Sequence, residues 1–125
     1  MDEPRLWLDE AKRDLRLVGA ALREELYDRC LVSCQQAVEK ALKAVYIRQR
    51  GRAAPRTHDI AALADQVGWQ DVPELFVDLT RWYTAGRYPD MGRVAGHDPP
   101  TWEEAKAALE ASTRLLKQVE EDIRA

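Results

Sequence analysis

Apolar residues recur at steps of three and four along most of this chain. Leu8, Ala11, Leu15, Val18 and Leu22 form one such seam, and Leu31, Cys34, Val38, Ala41, Leu42 and Val45 form a second. Trp102, Ala105, Leu109, Ser112, Leu116, Val119 and Ile123 form a third, with a seven-residue recurrence. That period belongs to amphipathic helices packed in a bundle, each burying one stripe and wetting the rest. Ala, Leu, Arg and Glu dominate the composition, and all four are good helix formers. The pattern predicts an all-α, antiparallel up-and-down helical bundle of about five helices, with residues 1–125 as a single domain.

Punctuation places the five helices. The first spans Pro4 to Glu25, with the proline in the first turn. The second spans Tyr27 to Arg50, stopped by Gly51. Pro55 keeps the following link out of helix, and Thr57 reads as the N-cap of a short third helix from His58 to Val67, ended by Gly68. Asp71 and Glu74 have capping-box spacing for a fourth helix, whose apolar face is Val72, Leu75, Phe76 and Leu79, running into Trp82 and Tyr83 and fraying near Gly86. Residues 86–100 hold three Pro and three Gly, a connection long enough to suggest a functional loop. Thr101 and Glu104 repeat the capping box at the last helix.

Several chemistries lack their residues. The two histidines, His58 and His97, stand at loops or helix starts, and no Glu-x-x-His occurs, so no metal site is expected in the bundle. Neither glycine-rich phosphate motif is present, and no cofactor is expected. Ser33 and Ser112 have no histidine at helical spacing, which leaves a nucleophilic triad without support. Cys30 and Cys34 lie four apart on one helix face, poor geometry for a disulfide, and read as small buried hydrophobes. No apolar run approaches the ~20 residues of a membrane span. The opening Met1-Asp2-Glu3-Pro4 is not a secretory signal, so a cytoplasmic protein is expected.

Charge is more informative in its distribution than in its net value of −3. Residues 29–58 hold seven Lys or Arg and one Glu, whereas residues 59–80 hold five acids and no base. This points to a local basic patch even though the whole chain is acidic, the alternative being a solvated charge run with no partner. The other basic stretch is Arg81-Trp82-Tyr83-Thr84-Ala85-Gly86-Arg87-Tyr88-Pro89-Asp90, with two guanidiniums and three aromatic rings close together. Arginine grips phosphate through two parallel hydrogen bonds, and aromatic faces stack on bases. Arg81, Tyr83, Arg87, Tyr88 and Asp90 are therefore the candidate nucleotide- or RNA-binding residues. The alternative is that Trp82 and Tyr83 belong to the core and Arg87 pairs with Asp90.

Three stretches resemble the HEPN domain family: Cys34-Gln35-Gln36-Ala37-Val38-Glu39-Lys40-Ala41-Leu42-Lys43-Ala44, then Thr57-His58-Asp59-Ile60 with Leu63, then Tyr83 to Asp90. The resemblance implies antiparallel helices, a dimer with a cleft between protomers, binding of nucleotide or RNA, and a nucleotidyltransferase partner in a toxin–antitoxin-type pair. Many members of that family are metal-independent ribonucleases that carry an Arg followed, after four to six residues, by His. This chain departs from the pattern. Gly86, Arg87 and Tyr88 follow Arg81 at that distance, and Gly92, Arg93 and Val94 follow Arg87. Arg93 and His97 stand too close, and Arg52 and His58 have the spacing but in the wrong part of the chain. The catalytic candidates are accordingly Arg87, His97 and His58.

Three functions compete on these grounds. The first is a non-catalytic nucleotide- or RNA-binding module, homodimeric and paired with a nucleotidyltransferase-domain protein. The second is a metal-independent ribonuclease toxin with a rearranged Arg and His site. The third is a purely structural interaction bundle. Four Trp and four Tyr exceed what so small a core needs, which favours a subunit interface.

Overall fold

The computed structural model describes residues 2–70, 74–76 and 99–124. Among these, four helices account for most of the chain: α1 (Glu3–Arg23), α2 (Tyr27–Arg50), α3 (Ile60–Val67) and α4 (Trp102–Arg124). Residues 74–76 are helical as well, and no described residue is in a strand. The chain is an all-α helical bundle.

α1 begins where Asp2 accepts a hydrogen bond from the Arg5 amide, with Pro4 in the first turn. It ends two residues earlier than the sequence suggests. Glu25 takes a left-handed φ of 60°, Leu26 N donates to Ala21 O and Glu25 N donates to Leu22 O. These paired bonds are the Schellman arrangement, which usually recruits glycine. A β-carbon in that conformation costs ~1–2 kcal/mol. Glycine there gives back part of the gain through its looser unfolded chain. Glu25→Gly should therefore stabilise the protein by roughly 0.5–1 kcal/mol, seen as a higher urea midpoint at unchanged m value.

The three-residue turn lays α2 antiparallel to α1. Cys30 Sγ meets Val18 O and Lys40 meets Asp14, so residue numbers fall along α1 as they rise along α2. α4 runs antiparallel to α1 and alongside α2 in the same sense. Lys12 pairs with Glu120 at 2.9 Å, and Asp2, Ile47, Arg48, Gly51 and Ile123 share one end cavity. α4 starts as expected, with Thr101 Oγ1 accepting from the Glu104 amide and the Glu104 carboxylate accepting from the Thr101 amide.

α2 is the central element. From Ala37 to Ile47 every residue is buried except Lys40, which is half-buried. A helix covered on all sides sits inside a bundle rather than on its flank. Gly51, at φ 64°, closes its end.

The link after Gly51 climbs back along α2. Gln35 and Glu39 contact His58, while Gln49 and Arg50 contact Val67 and Gln66. α3 thus descends parallel to α2. Its N-cap is Asp59, whose carboxylate accepts from the Ala62 amide; Thr57, expected to cap this helix, instead accepts from the Asp59 amide. His58 therefore stands outside the helix, on the approach to it.

The core joins Leu8, Ala11 and Val18 of α1 to most of α2, to Ile60, Leu63, Ala64 and Val67, to Phe76, and to Ala105, Ala108, Leu115, Leu116 and Val119. Several seam positions shift outward. Leu15, Leu22, Leu109 and Ile123 are only half-buried, with Asp14 buried beside Leu15, and Trp102 is 43% exposed, its ring under Lys106.

Candidate functional site

The most unusual surface of α2 is polar yet buried. Glu39 and Lys43 stand four apart, on one face of the helix, and their side chains form an ion pair at 2.9 Å with exposures of only 10% and 9%. Gln35, one turn earlier, is fully buried, and its Nε2 donates both to Glu39 Oε1 and to the backbone oxygen of His58. The link before α3 brings the His58 ring to the same carboxylate, with Nδ1 2.9 Å from Glu39 Oε1.

This network fixes the imidazole. A carboxylate receiving donors on both oxygens acts as acceptor only, so Nδ1 carries the proton it donates. Nε2 is then the basic nitrogen of the neutral ring. The His58 side chain is 54% exposed, whereas Glu39 behind it is not. An exposed imidazole is thus held at a set angle by a buried carboxylate, itself held by a buried ammonium. The arrangement suits hydrogen bonding to a polar ligand or the transfer of a proton. Gln35 Oε1, deep in the network, has no hydrogen-bond partner among the described residues.

α1 covers the other side. Trp7 lies under the Lys43 ammonium at 5.6 Å from the ring centroid, and Lys40 pairs with the buried Asp14 at 2.8 Å. One ion pair, Lys40 with Asp14, and one ring contact, Lys43 over Trp7, therefore tie α2 to α1. The sequence seams miss Asp14, Gln35, Glu39 and Lys43, because an apolar periodicity weighs only apolar residues. The Glu-x-x-x-Lys spacing at Glu39 was the available signal, but surface and buried pairs share it.

Of the sequence candidates, His58 enters this network. Arg81, Tyr83, Arg87, Tyr88, Asp90 and His97 lie outside the described residues, as do Trp82 and most of the fourth expected helix. Cys30 and Cys34 are free and buried. Burial pushes the Cys34 thiol up to about 12, against the opposing pull of the Ser112 hydroxyl, and burial also raises Cys30. Neither is a thiolate nucleophile at neutral pH. Among the described residues no helix is long and apolar enough to cross a membrane.

Comparison with known proteins agrees with this architecture. The family model described as HEPN domain matches residues 4–122. The crystal structure of TT1696 from Thermus thermophilus is similar at a TM-score of 0.77 and 32% identity, covering 97% of this chain and 98% of that one. The structure of ST0689, described as an archaeal HEPN homologue, is similar at a TM-score of 0.75 and 26% identity, covering 98% and 99%. No curated protein gives a significant match.

Proposed function

The chain belongs to the HEPN domain family, and from that premise we propose that it is a nucleotide- or RNA-binding module. It works as a cytoplasmic homodimer with a nucleotidyltransferase-domain partner, in a pair of the toxin–antitoxin type. The observation that carries this reading is the His58 ring, over half exposed yet oriented by Glu39. Two of the stretches that resemble the family, residues 34–44 and 57–60, meet in that one network. An oriented polar group at a surface favours ligand recognition over a purely structural bundle, which needs no such group. Arg81, Tyr83, Arg87, Tyr88 and Asp90 are proposed as further ligand contacts, from residue type and spacing.

The test is titration of AMP and of a short single-stranded RNA into the purified protein. Binding that weakens in Arg87→Ala and in His58→Ala is the expected result. No binding of either ligand, or binding indifferent to both substitutions, overturns the proposal. Recovery with a nucleotidyltransferase on co-expression is expected for the partner claim, and light scattering reads the dimer.

The Glu39–His58 pair also supports a second reading, a metal-independent ribonuclease. His58 Nε2 would take the proton of a ribose 2′-hydroxyl as that oxygen bonds to the neighbouring phosphorus, the P–O5′ bond breaks and the departing 5′-oxygen takes a proton from water, leaving a 2′,3′-cyclic phosphate. RNA cleavage in EDTA, lost in His58→Ala and reduced in Glu39→Gln, is its expected signature. RNA that stays intact at high protein concentration removes this reading and leaves the binding module.

A further inference from the structure

The end of α2 carries a second polar feature, distinct from the Glu39 network. Between Glu39 and Asp59 the chain has six Lys or Arg and no acid. Arg48, Arg50, Arg52 and Arg56 are exposed, and among the described residues none of them pairs with a carboxylate. Arg50 in the last turn of α2 and Arg52 just after Gly51 share one cavity, whereas Arg48 shares another with Asp2 and Glu3; two like charges held together repel, and an anionic ligand relieves that repulsion.

Two of the four guanidiniums are held in place. Arg50 and Arg52 lie 5.2 and 5.9 Å from the centroid of the same ring, that of the buried Tyr46. Arg50 Nη2 donates to Gln66 O at 2.8 Å, and Arg52 Nε donates to the Tyr46 hydroxyl at 3.1 Å. Each bond uses one of several N–H donors on its group, so both keep most of their donor capacity. Gln49 is pinned beside them, its Nε2 donating to Val67 O. Gln49, Arg50 and Arg52 line an open cavity of about 460 Å³.

We propose that this face binds the phosphate esters of a nucleotide or of a nucleic-acid strand. Stacking and hydrogen bonding have already removed much of the freedom these side chains would lose on gripping a ligand. The planar fork of arginine matches phosphate oxygens, and the cavity falls within the size range of small-ligand sites. The α2 C-terminus opposes an anion with about half a negative charge, a field that the two guanidiniums of Arg50 and Arg52 outweigh. The inference rests on the proposed function for its ligand class, but it assigns a surface different from residues 81–90 and from His58.

The test uses ATP, a 5′-phosphorylated single-stranded oligoribonucleotide and poly-aspartate as probes, with two double variants. Arg50→Gln/Arg52→Gln removes the stacked pair. Arg48→Gln/Arg56→Gln removes two charges whose guanidiniums make no ion pair among the described residues. Melting curves establish that each variant is folded. The expected result is oligonucleotide binding weakened on the order of ten-fold by Arg50→Gln/Arg52→Gln and less by Arg48→Gln/Arg56→Gln, whose side chains lie outside the cavity, with the salt slope reduced by roughly 0.7 per lost phosphate contact. ATP as tight as the oligonucleotide assigns the face to a nucleotide; a clear preference for the oligonucleotide assigns it to a strand. Wild-type binding that ignores salt overturns the inference even if the stacked variant does not fold. So does poly-aspartate binding tighter than the oligonucleotide. Binding untouched by both double variants but lost in Arg87→Ala overturns it while leaving the proposed function standing, and no binding of ATP or RNA overturns both.

Discussion

Glu39→Ala is expected to destabilise the protein by about 3–5 kcal/mol, the range for removing one partner of a buried ion pair. Three donors converge on this carboxylate: the Lys43 ammonium, the Gln35 amide and the His58 ring. Truncation leaves Lys43 buried at 9% exposure with, among the described residues, the face of Trp7 as its remaining polar contact. It also strands one Gln35 donor in a site where Gln35 Oε1 already lacks a partner among the described residues. Urea unfolding measures the loss directly. The sharper comparison is Glu39→Leu/Lys43→Leu, in which the charge and its counter-charge leave together. Apolar replacement of a whole buried pair is often neutral or stabilising, so the double variant should recover most of the stability lost by the single one. It should not recover ligand binding, because His58 then lacks its orienting acceptor. Equal loss in single and double variants would assign the effect to packing at that position and not to charge.

That contrast bears on why the pair exists. A bundle built for stability alone does better with leucine at both positions. A buried pair whose outer edge holds an exposed imidazole makes sense when the imidazole must point one way. Its distance from the proposed phosphate face is set by α2, since Glu39 and Tyr46 sit two turns apart on one continuous helix.

Much of this architecture was legible in the chain. The bounds of α2 follow from Tyr27 and Gly51, and the start of α4 from the Thr101 and Glu104 pair, because caps and stops act within one turn. The end of α1 was not legible: Glu25 adopts a left-handed conformation for which its residue type gives no warning. The cap of α3 was misplaced by two residues, since Thr57 and Asp59 are both good capping types and only the backbone decides between them. Trp102 illustrates the limit of periodicity. It keeps the spacing of the seam, but in the first turn of α4 it is 43% exposed. The Glu39 network was hidden for a different reason. Its residues are unremarkable singly, and only the return of the link along α2 brings His58 to a carboxylate nineteen positions earlier.

Phe76→Ala is expected to lower stability by about 3–5 kcal/mol, the usual range for truncating a buried aromatic. Phe76 is 1% exposed and is the largest fully buried side chain among the described residues. Leu75 is half-buried against the same core and Glu74 is exposed, so three successive positions sample three depths of one helical turn. Leu75 and Phe76 lie inward as expected; Val72 and Leu79, the rest of the expected apolar face, lie outside the described residues. Truncation removes the ring and leaves a cavity, because the surrounding side chains relax only partly. A domain of this size holds ~5–15 kcal/mol in all, so the loss takes a large share of it. Thermal unfolding should show a fall in Tm of roughly 10 °C or more. Leu75→Ala should cost distinctly less, and Glu74→Ala should stay within about 0.5 kcal/mol. A graded response in that order ties this turn to the core of the bundle. The anchor matters for function because Phe76 precedes Arg81 by five residues. If Phe76→Ala leaves the fold stable, the turn is not an anchor of the core.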